Sequence, residues 1–81
     1  MNRPISQIAR EISADWKKVY FGAKPYLEAM YSLDSMNDTY GVDTADTFIT
    51  YFLSNASSWR GDVAKKIKEE LKVMLKTFKG K

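Results

Sequence analysis

Apolar residues recur along this chain every three or four positions, the spacing that gathers side chains on one face of an α-helix. Ile5, Ile8, Ala9, Ile12, Trp16 and Val19 form the first stripe. Pro4 stands where a first-turn proline is tolerated, because the amide it lacks would have no helical partner there. Gly22 offers a left-handed stop. This pattern predicts a helix over about 4–20. A second stripe, Tyr26, Ala29, Met30, Leu33, Met36 and Tyr40, opens at Pro25 and closes at Gly41, predicting a helix over about 25–40. Leu27 and Tyr31 fall off that stripe, free either to meet another helix or to face solvent.

Asp43 reads as an N-cap, with Asp46 near the positive end of the helix dipole. Ala45, Phe48, Ile49, Phe52 and Leu53 follow as a buried face, giving a third helix over about 44–55. The fourth is the longest, about 58–78, capped by Ser57 or Ser58 and stopped at Gly80. Its apolar residues Val63, Ala64, Ile67, Leu71, Met74, Leu75 and Phe78 share an arc of roughly 120°. No segment alternates with period two for long enough to read as a strand. The expected fold is all-α: a compact single-domain bundle of four helices joined by short turns, antiparallel or orthogonal. The third helix, short and poor in charge, should be the most buried.

Eighty-one residues suffice for one small core, which buries roughly 60% of the unfolded surface. The composition, 44% hydrophobic and 14% aromatic, is that of a folded domain rather than a disordered one. The chain lacks cysteine and histidine. Disulfides, thiolate metal sites and the usual neutral-pH proton shuttle are therefore excluded, and with them Ser–His and Cys–His catalysis. Carboxylates alone make a weak case for chemistry, since Asp43 and Asp46 have a capping explanation and Asp34 and Asp38 fall one turn apart on an exposed face. A calcium loop beginning at Asp34 fails, with Thr39 at the glycine position and Ala45 at the bidentate-acid position. No catalytic residue, metal or cofactor is expected. No apolar run is long enough to span a membrane, and the N-terminus runs directly into the first amphipathic pattern, so the expected location is the cytoplasm. The sequons at Asn37 and Asn55 and the Arg60-Gly61-Asp62 string read as chance matches in that setting.

Charge is distributed unevenly. Residues 25–59 contain five acids and no lysine or arginine, so the net +3 divides into +3, −5 and +5 over 1–24, 25–59 and 60–81. Polarised surfaces steer partners. The candidate acidic patch is Glu28, Asp34 and Asp38. The candidate basic surface is a ridge on the fourth helix, Lys65, Lys68, Lys72, Lys76 and Lys79, within an arc of roughly 80°. Arg60 and Trp59 extend it with a guanidinium and a stacking ring. The ridge could track phosphates, yet lysine is also an ordinary residue of a solvated helix. Glu69 and Glu70 interrupt it at spacings that suit Lys65–Glu69 and Lys66–Glu70 pairs. A helix-turn-helix around Gly41-Val42-Asp43 would present Thr44, Thr47, Thr50, Tyr51 and Asn55 with no basic residue, which opposes phosphate attraction. Trp16 and Trp59 are expected core anchors, each indole N–H seeking an acceptor. Gly61 is expected inside the first turn of the fourth helix, against an aromatic ring such as Trp16 or Tyr20.

The segments Ile8-Ala9-Arg10-Glu11-Ile12, Asp15-Trp16-Lys17, Tyr20-Phe21-Gly22-Ala23, Pro25-Tyr26-Leu27-Glu28-Ala29-Met30, Tyr51-Phe52-Leu53-Ser54-Asn55-Ala56 and Trp59-Arg60-Gly61 carry a resemblance. The chain is similar over nearly its whole length to a group of small uncharacterised all-helical proteins of Gram-positive bacteria, often encoded on conjugative elements or prophages. That resemblance implies an accessory role in mobile-element biology, such as regulation, transfer or inhibition of a host defence, and transfers no site residues. The expected function is a non-enzymatic protein-interaction module, a regulator or inhibitor with a protein partner. The alternative is a nucleic-acid-binding accessory protein using the lysine ridge. Self-association through opposite patches is a third reading, and no membrane partner is expected.

Overall fold

The computed structural model describes residues 3–79, with the Lys79 side chain outside the described part. Helix α1 spans Ile5–Asp15. Pro4 is its extended N-cap rather than a first-turn residue, with ψ 139°, and its carbonyl accepts the amides of Gln7 and Ile8 at 3.1 and 3.2 Å. The free amide of Ile5 donates to the Asp34 carbonyl at 3.1 Å, and Ser6 Oγ donates to the Asp34 carboxylate at 2.6 Å. A loop from the middle of the chain thus closes the start of α1. The helix ends at Asp15, well short of Gly22, because Trp16 leaves helical geometry at ψ 87° and joins an aromatic cluster. Trp16 and Trp59 stack with centroids 5.7 Å apart and planes at 10°, and Phe52 meets both edge-on.

Helix α2 covers only Lys24–Met30, a correction to the expected helix over 25–40. The amides of Ser32 and Leu33 bond to the carbonyls three residues back, Ala29 and Met30, tightening the last turn before the chain departs. The cause lies in Asp34-Ser35-Met36-Asn37-Asp38. The Asp38 carboxylate accepts the amides of Asp34 and Ser35 at 2.8 and 3.1 Å and the Ser35 hydroxyl at 3.3 Å. Such side chains offer the backbone an alternative to the helical ladder. Leu33 and Met36 are buried all the same, now from a loop, and Leu27 is buried on α2.

Two short strands follow, Thr39–Tyr40 (β1) and Asp43–Thr44 (β2), paired antiparallel with Tyr40 opposite Asp43. The architecture is therefore mostly helical with a small hairpin, not purely all-α. Its two-residue loop places Gly41 at φ +70° and Val42 at negative φ, the type II′ arrangement whose twist matches paired strands. Helix α3, Ala45–Ser54, is N-capped by Thr44 rather than by Asp43. Its first amide donates to the Asp38 carbonyl at 2.9 Å, and Thr44 Oγ1 bonds the Asp46 carboxylate. Only Tyr51 and Ser54 of α3 are exposed.

Helix α4 spans Asp62–Lys79 and starts later than the serines suggest. Ser57 and Ser58 lie exposed in the connecting turn, and the Gly61 carbonyl opens the ladder by accepting the Lys65 amide at 3.0 Å. Gly61 stands before the helix at φ +112°, with nothing within 4 Å of where a Cβ would be. Its role is conformational, not the close approach expected. Val63, expected in the core, is 41% exposed. The expected stop at Gly80 lies outside the described residues. Ile5, Ile8, Ile12, Met30, Leu33, Ile49, Phe52 and Leu71 are fully enclosed, and α2 packs most extensively on α3, with α1 and α4 completing the core.

Candidate interaction surfaces

Of the acidic patch foreseen from Glu28, Asp34 and Asp38, two carboxylates are engaged within the fold. Asp34 and Asp38 sit in a loop rather than on one helix face, and both carboxylates serve backbone or hydroxyl donors there. Those amide bonds, to Asp34 first and then Ser35, hold the Asp38 carboxyl below its usual range. Glu28 is exposed on α2.

The lysine ridge is also divided. Lys65, Lys72 and Lys76 are exposed. Lys68 instead turns its ammonium to the Trp59 carbonyl at 2.6 Å and lies 5.9 Å above that indole. Burial, then the neighbouring charges of Lys72 and Arg60, lower its pKa. Lys79 is named with the ridge by its spacing, but its side chain lies outside the described residues. Trp59 is buried and supplies no stacking surface. Its indole N–H donates to Asp15 at 2.8 Å, the acceptor expected of a buried tryptophan.

Glu70 pairs across the fold, not along α4. Arg3 reaches it with Nε at 3.1 Å and a terminal nitrogen at 2.7 Å, a bidentate fork, and also bonds Glu11. Among the described residues these are the ion pairs present. The foreseen Lys65–Glu69 and Lys66–Glu70 pairs are not formed. A groove of about 490 Å³ runs beside Lys65, Lys66, Glu69, Glu70 and Val73. Among the described residues no group of three or more acids converges to hold a metal ion, and no helix is long and apolar enough to cross a membrane.

Two surfaces not foreseen from spacing carry exposed rings. The first crosses β1, α2 and α3. Tyr40 meets Phe48 edge-on at 5.6 Å, Phe48 lies 6.5 Å from Tyr26, and Tyr26 stacks on Tyr51 at 5.4 Å and 26°. Tyr40 is 48% and Tyr51 51% exposed, and Val42 at the hairpin tip is 97% exposed. Asp43 is paired opposite Tyr40, and Asp46 shares a shallow depression of about 220 Å³ with Thr47, Thr50 and Tyr51. The second surface is the Trp16–Ala23 connection, where Tyr20 and Phe21 rings touch at 4.8 Å in a segment whose lysines are exposed. The signal for the first was present: Tyr40 and Val42 beside Gly41 in a segment of low helix propensity. Comparison with protein-family models, with curated proteins and with solved structures finds no match to this chain.

Proposed function

We propose that this chain is a non-enzymatic protein-interaction module whose docking face is the Tyr40–Phe48–Tyr26–Tyr51 strip, and whose partner presents a cationic segment. The observation that carries this reading is a continuous run of rings, Tyr40 and Tyr51 about half exposed and Phe48 and Tyr26 partly buried between them, flanked by Asp43 and Asp46, within a stretch holding no lysine or arginine. Tyrosine contributes large, rigid contact area and is enriched where binding energy concentrates. Ring faces and carboxylates together favour guanidinium and ammonium groups. Within the accessory role in mobile-element biology that the resemblance to small proteins of conjugative elements and prophages implies, we propose a regulator or inhibitor working in the cytoplasm.

The test is fluorescence anisotropy with labelled nona-arginine and nona-glutamate peptides, followed by identification of partners captured by wild type but not by the variant. Nona-arginine should bind in a salt-sensitive way, and the Tyr40→Ala/Tyr51→Ala pair should weaken it by about tenfold or more, as expected for losing interface tyrosines. Equal binding by wild type and variant would remove the strip from the reading.

A further inference from the structure

We infer that the Trp16–Ala23 loop is a second binding surface, for single-stranded nucleic acid, with Phe21 and Tyr20 as its base-stacking platform. Phe21 is 77% exposed, unusual for a phenylalanine in a chain able to enclose Trp59 and Phe52. Burial is where a large ring is normally worth most. Its ring is braced by Tyr20 at 4.8 Å. Tyr20 is held in turn by the backbone beneath it: a Cβ at Gly22 would come within 2.6 Å of Tyr20 Cε2 and 2.9 Å of Asn55 Oδ1. The ring therefore lies directly over the glycine and against the α3–α4 turn. A cleft of about 290 Å³ opens there, lined by Tyr20, Ser54, Asn55, Ser57 and Ser58, and its hydroxyl and amide groups can bond base edges or phosphate oxygens.

The charge around this platform is all of one sign in sequence. Between Asp15 and Glu28 the chain carries Lys17, Lys18 and Lys24 and no acid, and all three are exposed. Asp15 is engaged by the Trp59 indole. The Trp16–Trp59 stack brings the two connections into contact, so Arg60, exposed beside Trp59, lies near the loop, with the exposed Asp62 following it. Stacking rings within a cationic surface, next to uncharged hydrogen-bonding groups, is the combination by which proteins hold unpaired strands. A duplex hides its base faces and would use only the charges. The inference stands apart from the cationic-peptide reading, which uses different residues.

Labelled single strands of about 20 nucleotides (DNA and RNA) and a duplex of equal length, titrated by anisotropy at about 50 and 200 mM salt, test it. Single strands should bind more tightly than the duplex. If Lys17, Lys18, Lys24 and Arg60 each meet a phosphate, affinity should fall by about 50-fold between the two salt levels. Phe21→Ala should lose about 5- to 100-fold for single strands, with Phe21→Trp restoring it. Phe21 is largely exposed, so neither change should disturb folding, and circular dichroism would verify that. The Tyr40→Ala/Tyr51→Ala pair should leave strand binding unchanged. Four outcomes would each overturn the inference: no strand binding at low salt, equal binding by Phe21→Ala and wild type, loss only on reversing Lys72 and Lys76, or cosedimentation with phosphatidylserine vesicles without strand binding.

Discussion

Replacing Gly61 with alanine isolates a single physical effect. At φ +112° an L-residue is strained by about 1–3 kcal/mol, whereas the smaller entropy of the unfolded alanine chain returns about 0.4–1 kcal/mol. No atom lies within 4 Å of the new methyl, so packing adds nothing and the net loss should be about 1–2 kcal/mol. For a domain of this size each kcal/mol moves Tm by about 4–8 °C, which places the expected fall at about 5–15 °C. Thermal and urea unfolding followed by helical ellipticity measure it, with an unchanged urea slope confirming that the folded state is kept. D-alanine at the same position, introduced by chemical synthesis, favours positive φ and should restore or exceed wild-type stability. A Gly61→Ala protein as stable as wild type would refute the reasoning. So would a D-alanine form as unstable as the L form, because chirality would then have no bearing.

Four other predictions rest on separate contacts. Gly22→Ala must push aside the Tyr20 ring and should cost about 1–2 kcal/mol. In a Tyr20→Ala background the same change should cost clearly less, and a double-mutant cycle in urea reads the difference. Trp59→Phe removes the donor to Asp15 along with part of the ring stack and should cost about 2 kcal/mol, after which Asp15→Asn should cost nothing further. Because its amide partners lower the Asp38 pKa in the folded state, the carboxylate stabilises above its unfolded value near about 3.9 and loses that effect as pH falls through the folded value. Asp38→Asn should therefore lower the urea midpoint at pH 6, with the gap to wild type shrinking towards pH 2.5. Glu70→Gln breaks a bidentate partner of Arg3 and should destabilise by about 1 kcal/mol given the partial exposure of both groups, an effect weakened by high salt.

Apolar periodicity located the parts of the fold where a stripe meets a partner helix. Ile5, Ile8 and Ile12, then Ile49 and Phe52, then Ile67, Leu71 and Met74 are buried on helices close to the expected ones. Periodicity misled between Leu33 and Tyr40, because a buried loop can match helical spacing by coincidence. The deciding signal there was polar: Asp34, Ser35, Asn37 and Asp38 in five residues, each able to bond a nearby amide. A helix of 25–40 treated those residues as a solvated face. The fourth helix starts later than expected for the opposite reason: Ser57 and Ser58 resemble caps while Gly61 sets the actual start. The Arg3–Glu70 fork joins residues 67 positions apart, a distance over which spacing carries no information.

Candidate binding residues were harder to read than the fold because a charge count does not separate charges the fold uses from charges it leaves free. Asp34 and Asp38 close a loop, Asp15 holds an indole, Glu70 holds Arg3 and Lys68 holds a backbone carbonyl. Each of these was indistinguishable in sequence from a surface charge. The exposed rings discriminate better, because leaving an aromatic ring in water forgoes a stabilisation that burial would supply. Phe21, Tyr40 and Tyr51 stay out while Trp16, Phe52 and Trp59 go in, and the exposed rings divide between neighbours of opposite sign. Phe21 stands in a stretch with only lysines, Tyr40 and Tyr51 beside aspartates. If both proposed surfaces bind, their ligands carry opposite charge, and substitutions at the two surfaces should act independently.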